Sequence, residues 1–246
     1  MANVGLAYKN ILETSTVYLQ TGSAQAAYPL WRLYDRDIGR IFAAAAASTL
    51  VVQVDQGASG NIAVDSLFIP AGHNLSGLAL SLAYSADNSA YTNAVTAWTQ
   101  ADALDIIKTW TAITRRYWRF SITSPAKIPQ FAELFLSSVY TWETNPLLPK
   151  GAYDPVFNVA VKTTAAGQDR FLIQGAAKRR RSYTVSCDET QAENISAFYD
   201  AYAGYKPFWL RDDDGIWIYG RLSGELQLTE DEFGMNYNFD FIEVVA

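Results

Sequence analysis

Leu67-Phe-Ile-Pro-Ala-Gly-His-Asn-Leu75, Leu78 to Asn88, Arg115-Arg-Tyr-Trp-Arg-Phe-Ser-Ile122 and Phe131-Ala-Glu-Leu-Phe-Leu136 are the pieces whose reading decides the fold. The first is a strand running into a polar turn, ended at Pro70 because proline has no N–H for a ladder. In the second, Leu78, Leu80, Leu82 and Tyr84 fall at period two with Ala and Ser between them, the mark of a half-buried strand. Tyr117, Arg119 and Ser121 alternate with Trp118, Phe120 and Ile122 in the same way. Ala132, Leu134 and Leu136 are expected to oppose Phe131, Glu133 and Phe135 across a further strand. Short strands separated by polar turns predict a mainly β chain that opens with a β-sandwich.

Upstream, Val4, Leu6, Tyr8, Val17 and Leu19 suit first strands of the same sandwich. Tyr28 to Ile41, with Trp31, Tyr34, Asp35, Arg36, Asp37 and Arg40, reads as an ordered loop pinned by aromatic anchors. Ala43 to Ala47 favours helix, but the β-branched run after it places a strand at 49–54. Strand signals resume at Ile62 to Ile69. Trp98, Trp110, Trp118 and Trp142 are expected to anchor the sandwich core from several strands.

Downstream, Thr144-Asn-Pro-Leu-Leu-Pro-Lys-Gly151 disfavours regular structure and reads as a linker. The expected domains are therefore a sandwich over 1–143, a linker over 144–151 and a second β module over 152–246. In that module Tyr153 to Val161, Phe171 to Gln174 and Arg181 to Ser186 read as strands, as do Lys206 to Leu210, Ile216 to Leu222 and Met235 to Val244. Thr190-Gln-Ala-Glu193 is a capping-box pattern. Behind it Ile195, Phe198, Tyr199 and Tyr202 recur at helical spacing, predicting one helix over 190–203 that ends at Gly204. The module is expected to be a small β-sheet or barrel crossed by that helix.

Composition narrows the function classes. The 15 Tyr, 12 Phe and 7 Trp suit pleated faces more than a helical enzyme. A net charge of −6 argues against nucleic acid as partner. Cys187 is the only cysteine, so no intrachain disulfide can form, and a cytoplasmic site of synthesis is expected. No secretory signal is visible at the N-terminus, and the most apolar stretch is too short to span a bilayer, so no membrane insertion is expected.

No set of groups announces catalysis. Asp212-Asp213-Asp214-Gly215 offers carboxylates to a hard cation, but it reads better as a hairpin turn and lacks calcium-loop spacing. His73 is the only histidine and is assigned a turn hydrogen bond. Cys187 is assigned as a buried structural thiol. Asp35/Asp37 and Glu230/Asp231/Glu232 give no reason to aim two carboxylates at one bond. No cofactor, metal or catalytic residue is expected. The basic run Lys178, Arg179, Arg180 and Arg181 fits either an acidic partner face or a solvated strand edge. Trp209 and Trp217 join it as candidate interface residues, while Tyr183, Tyr219, Tyr237 and Phe239 suit core or interface. Trp31, Tyr91 and Trp98 are candidates for stacking on a sugar.

Tyr84-Ser-Ala-Asp-Asn88, Arg116-Tyr-Trp-Arg-Phe120 and Ala132-Glu-Leu-Phe-Leu136, over roughly residues 1–142, resemble the discoidin, or galactose-binding-like, jelly roll. That resemblance implies a fold that often binds glycans through loops at one end, and it transfers no binding residue. Residues 152–246 resemble the tail-ring domain of siphophage distal tail proteins, on the helix, Lys206-Pro-Phe-Trp-Leu210, the Asp-Gly turn and the aromatic last strand. This second resemblance implies a structural component of a virion tail tip or baseplate, assembled in a host cytoplasm. Copies of the chain would form a ring beside tail-tube and tail-tip proteins, with the jelly roll facing outward. A carbohydrate-binding module for a surface glycan is the alternative.

Overall fold

The computed structural model describes residues 3–58, 61–142, 154–157, 159–163, 169–173, 177–202, 206–231 and 234–244. It is mainly β, as the alternation predicts, and it divides into two compact units. One is Ala7–Tyr140; the other joins Met1–Leu6 to Thr141–Val245. The expected linker, 144–151, lies outside the described residues.

In chain order the strands of the first half are β1 (Gly5–Ala7), β2 (Thr16–Thr21), β3 (Phe42–Ala43), β4 (Leu50–Asp55), β5 (Ala63–Ile69) and β6 (Ala79–Ser85). They continue with β7 (Thr92–Thr99), β8 (Ile106–Thr114), β9 (Tyr117–Thr123), β10 (Gln130–Phe131), β11 (Phe135–Ser137) and β12 (Tyr140–Thr141). A five-stranded sheet of order β2-β4-β9-β6-β7 faces a three-stranded sheet of order β11-β5-β8, with the pair β10-β3 beside them. Neighbouring strands in these sheets pair antiparallel. Between them Val52, Val54, Leu80, Leu82, Trp118, Phe120 and Ile122 meet Val64, Leu67, Ile69 and Leu136 in one buried cluster. Period-two alternation works in β6 and β9 because each turns one dry face to the core. The alanine run forms no helix: Ala43 is in β3, and Ala44 bridges Ala24.

One expectation fails in this unit. Phe131 to Leu136 is not one alternating strand, since β10 and β11 are separate and all six residues are buried. Glu133 is fully buried, accepting from Asn10 Nδ2 at 3.3 Å and from the Arg36 backbone N–H at 3.0 Å. Burial pushes its carboxyl well above the usual range. The loop over 28–41 is pinned by Tyr34, which packs against the core, and also by Arg36. Arg36 takes a left-handed backbone (φ 63), pairs with Glu13, donates to the Tyr8 carbonyl at 2.6 Å and lies over the Phe135 ring.

The second unit adds β13 (Asp154–Val156), β14 (Val159–Thr163), β15 (Asp169–Ile173), β16 (Lys178–Cys187), α1 (Glu189–Tyr202), β17 (Phe208–Arg211), β18 (Trp217–Asp231) and β19 (Gly234–Glu243). Its seven-stranded sheet has the order β12-β1-β17-β18-β19-β16-β13, so the first strand of the chain completes this sheet and not the sandwich. Trp142 likewise packs here, edge-on to Phe239 at 5.6 Å. β14 and β15 form a separate hairpin. Ala192, Ile195 and Phe198 bury one face of α1, and Phe198 meets Phe208 edge-on at 5.1 Å. Asp188 caps α1, its Oδ1 accepting from Gln191 N at 2.8 Å, in place of the expected Thr190. The expected stop at Gly204 lies outside the described residues. Gly220 admits no side chain, because a Cβ there would sit 2.4 Å from the Ile242 carbonyl oxygen and 2.5 Å from the Phe241 ring. Among the described residues no helix is long and apolar enough to cross a membrane.

Candidate functional site

The outer face of the five-stranded sheet carries a cross-strand row of Tyr18, Gln53, Arg119, Ala83 and Asn93, one residue per strand. A parallel row two residues along holds Thr16, Asp55, Tyr117 and Ser85. Their in-facing neighbours fill the core, so alternation alone turns these side chains outward. Gln53 is nevertheless fully buried. A buried amide needs partners, and two residues roof it: Arg119 Nε donates to Gln53 Oε1 at 2.6 Å, and Gln53 Nε2 donates to the Tyr91 hydroxyl at 3.0 Å.

The β6–β7 turn sets Tyr91 in place. Asp87 accepts from Ser89 N, the Ser89 hydroxyl and Ala90 N, at 2.9, 2.7 and 3.3 Å, and these bonds hold its carboxyl below the usual range. Asn88 then adopts a left-handed backbone, φ 64, which asparagine tolerates. Its Oδ1 accepts from the Tyr91 hydroxyl at 2.6 Å and from Arg119 Nη2 at 3.4 Å. The Arg119 guanidinium lies 3.6 Å from the centroid of the Tyr91 ring. Burial pushes the Tyr91 phenol up, and Tyr18 and Tyr117 act in the same direction against Gln53 and Arg119, so the hydroxyl keeps its proton. Beside this cluster Arg116 donates two hydrogen bonds to the Asp55 carboxylate, at 2.6 and 2.9 Å, and covers the Tyr117 ring at 4.7 Å. The result is a surface of three tyrosines around an arginine, with Ala83 the small residue of the same row.

Of the three residues picked for sugar stacking, only Tyr91 is here. Trp31 is exposed on the 3-10 turn Leu30–Leu33, under the Arg32 guanidinium. Trp98 packs half-buried against the core, on the face opposite to Tyr91, with Lys108 5.0 Å from its ring centroid. Sequence reading missed Gln53, Asn88, Tyr18, Tyr117 and Arg119 as a group. No local signal marked it, since Gln53 stands in Val51-Val52-Gln53-Val54 where alternation expects an outward polar residue.

In the second unit the basic run is neutralised within the chain: Arg179 pairs with Glu243, Arg180 with Asp240 and Arg181 with Asp212. Lys178 is half-buried at the start of β16. Trp209 is fully buried against Tyr219 and presents no surface, while Trp217 is half-buried beside Arg211. Tyr183, Tyr219, Tyr237 and Phe239 are core residues. Asp212, Asp213 and Asp214 form the β17–β18 turn, with Gly215 N donating to the Asp212 carbonyl at 2.9 Å and the Asp212 carboxylate taken by Arg181.

His73 makes its turn bond, Nδ1 accepting from Leu75 N at 3.2 Å, while Nε2 donates to the Leu104 carbonyl at 2.8 Å, so neither nitrogen is left for a metal. Cys187 is buried, which raises its thiol pKa. Asp35 and Asp37 cap their own loop and pair with Arg40. The side chains of Glu230, Asp231 and Glu232 lie outside the described residues.

No protein-family model and no curated protein matches the chain. Among solved structures, chitosan-binding module 1 from the chitosanase/glucanase of Paenibacillus sp. IK-5 is 17% identical, with a TM-score of 0.45, covering 53% of this chain and 99% of the module. The module CpGH89CBM32-5 of Clostridium perfringens, solved with GalNAc-β-1,3-galactose, is 8% identical, with a TM-score of 0.44, covering 53% of this chain and all of that one. SpGH29 is 14% identical, with a TM-score of 0.44; 54% of this chain covers 28% of it. Similarities at this level assign neither ligand nor activity.

Proposed function

We propose that this chain is a saccharide binder without catalysis, and that Tyr18, Tyr91, Tyr117 and Arg119 on the outer sheet face form its site. The observation that carries the reading is the roofed Gln53. A buried amide on an outward-facing row fixes Tyr91 and Arg119 before any ligand arrives. Phenol rings give flat apolar area with a polar rim at low entropic loss, the surface a sugar's C–H face and hydroxyls require. The amide, guanidinium and phenol groups supply orienting bonds. The test is a glycan array probed with the full chain, followed by Tyr18→Ala and Tyr117→Ala. Both side chains lie at the surface, so folding should survive. Each loss should weaken binding about tenfold, on the order of 1.4 kcal/mol. An array without signal, or signal indifferent to both substitutions, would rule the proposal out.

A second reading is assembly: copies forming a ring in a virion tail, next to other tail proteins. One observation favours it. Phe157, Val159 and Val161 are exposed at and beside the β14–β15 hairpin, an apolar strip of the kind that marks interfaces. Light scattering after size-exclusion chromatography tests it; a monomer at all concentrations speaks against it.

A further inference from the structure

We infer that the ligand of this face is an anionic saccharide, one bearing a carboxylate or a sulfate ester beside its ring. The inference rests on the saccharide reading and deepens it. Three of the six arginines of the sandwich unit are neutralised by carboxylates, Arg36 by Glu13, Arg40 by Asp37 and Arg116 by Asp55, while Arg32 and Arg115 donate to the carbonyls of Ile41 and Thr114. Arg119, at the centre of the tyrosine face, has no carboxylate partner among the described residues. Its Nε is taken by the Gln53 carbonyl, one Nη2 hydrogen points weakly at Asn88 Oδ1, and its plane is stacked on Tyr91. A guanidinium has five N–H donors, so the remaining edge is left for a ligand. That edge is held rigid by three contacts, and a fixed planar fork matches a planar or multi-oxygen anion.

The neighbours keep this charge available. Asp55, the carboxylate of the adjacent row, is engaged by Nε and Nη2 of Arg116. Asp87 is spent on the turn that positions Asn88. The chain as a whole carries −6, so attraction for an anion here is local and does not come from the net field. A neutral sugar would leave the guanidinium edge to water; an acidic one replaces water with a charge-assisted pair.

The experiment titrates the full chain with a neutral oligosaccharide, its uronic acid counterpart and its sulfated counterpart, at low and high salt. At low salt the anionic forms should bind at least tenfold tighter than the neutral one. Salt should erode that preference, since the pair is at the surface. Arg119→Gln should bring the ratio near one, and Arg119→Lys should keep part of it while losing discrimination between carboxylate and sulfate. Thermal unfolding confirms that each variant is folded. Equal binding of neutral and acidic sugars, or a preference surviving Arg119→Gln, overturns the inference and leaves the saccharide reading standing. Absence of binding by every probe overturns both.

Discussion

Replacing Asn10 tests the packing of the sandwich unit at its most demanding point. Its buried side chain makes four hydrogen bonds: Oδ1 accepts from Leu12 N and Leu136 N, both at 3.2 Å, and Nδ2 donates to the Leu134 carbonyl at 2.9 Å and Glu133 Oε1 at 3.3 Å. One bond caps the short helix Ile11–Glu13; the others clamp a segment some 126 residues away. At about 1 kcal/mol net for each bond, and more for the buried Leu136 N–H left without an acceptor, Asn10→Ala should cost about 3–4 kcal/mol. For a unit of this size that is a fall of about 10–15 °C in melting temperature, readable by tryptophan fluorescence.

Asn10→Asp is the control. It keeps the acceptor for both N–H groups but sets a second carboxylate oxygen against the Leu134 carbonyl and Glu133. It should be at least as harmful as alanine near neutral pH, and acid should relieve it, whereas alanine's loss should persist in acid. A drop under about 3 °C for Asn10→Ala, or no acid relief for Asn10→Asp, would refute this account.

Gly220→Ala should destabilise the second unit by about 1–3 kcal/mol, because the new methyl meets backbone and ring atoms that have no room to yield; chemical denaturation measures it. Burial lowers the His73 pKa from 6.5, so the folded form binds its proton less readily than the unfolded chain. Its contribution is therefore present above about pH 6.5 and is lost as pH falls toward the folded value; His73→Gln should flatten that limb of the melting-temperature profile. Cys187, buried with a raised thiol pKa, should resist a thiol reagent in the native protein and react on denaturation.

Much of this fold was legible because adjacent strand residues face opposite sides and residues two apart share a side. Leu80 and Leu82, or Trp118 and Phe120, announce a dry face from local sequence alone. The failures share a cause: they depend on residues far along the chain. Glu133 reads as an outward residue until Asn10 and the Arg36 backbone arrive to bury it. Gly5–Ala7 looks like any short strand, and nothing local says that its sheet belongs to the other unit. The basic run reads as exposed charge because its acids, Asp240 and Glu243, come from β19. At α1 the helix body was clear, but Asp188 outcompeted Thr190 for the cap, a choice between adjacent good cappers that sequence pattern does not resolve.

The tyrosine face shows why a site can hide in a strand that reads well. Gln53 breaks no alternation; it stands where an outward residue belongs. Its significance arises only when the β6–β7 turn folds back and Arg119 lies across it, turning a solvated amide into a buried one. The consequence is energetic as well as geometric. Arginine and tyrosine side chains ordered by the protein's own bonds lose little further freedom on binding. Under the proposed function, a ligand would meet a surface whose entropy loss was met during folding, with the outer edge of Arg119 taken by no carboxylate among the described residues.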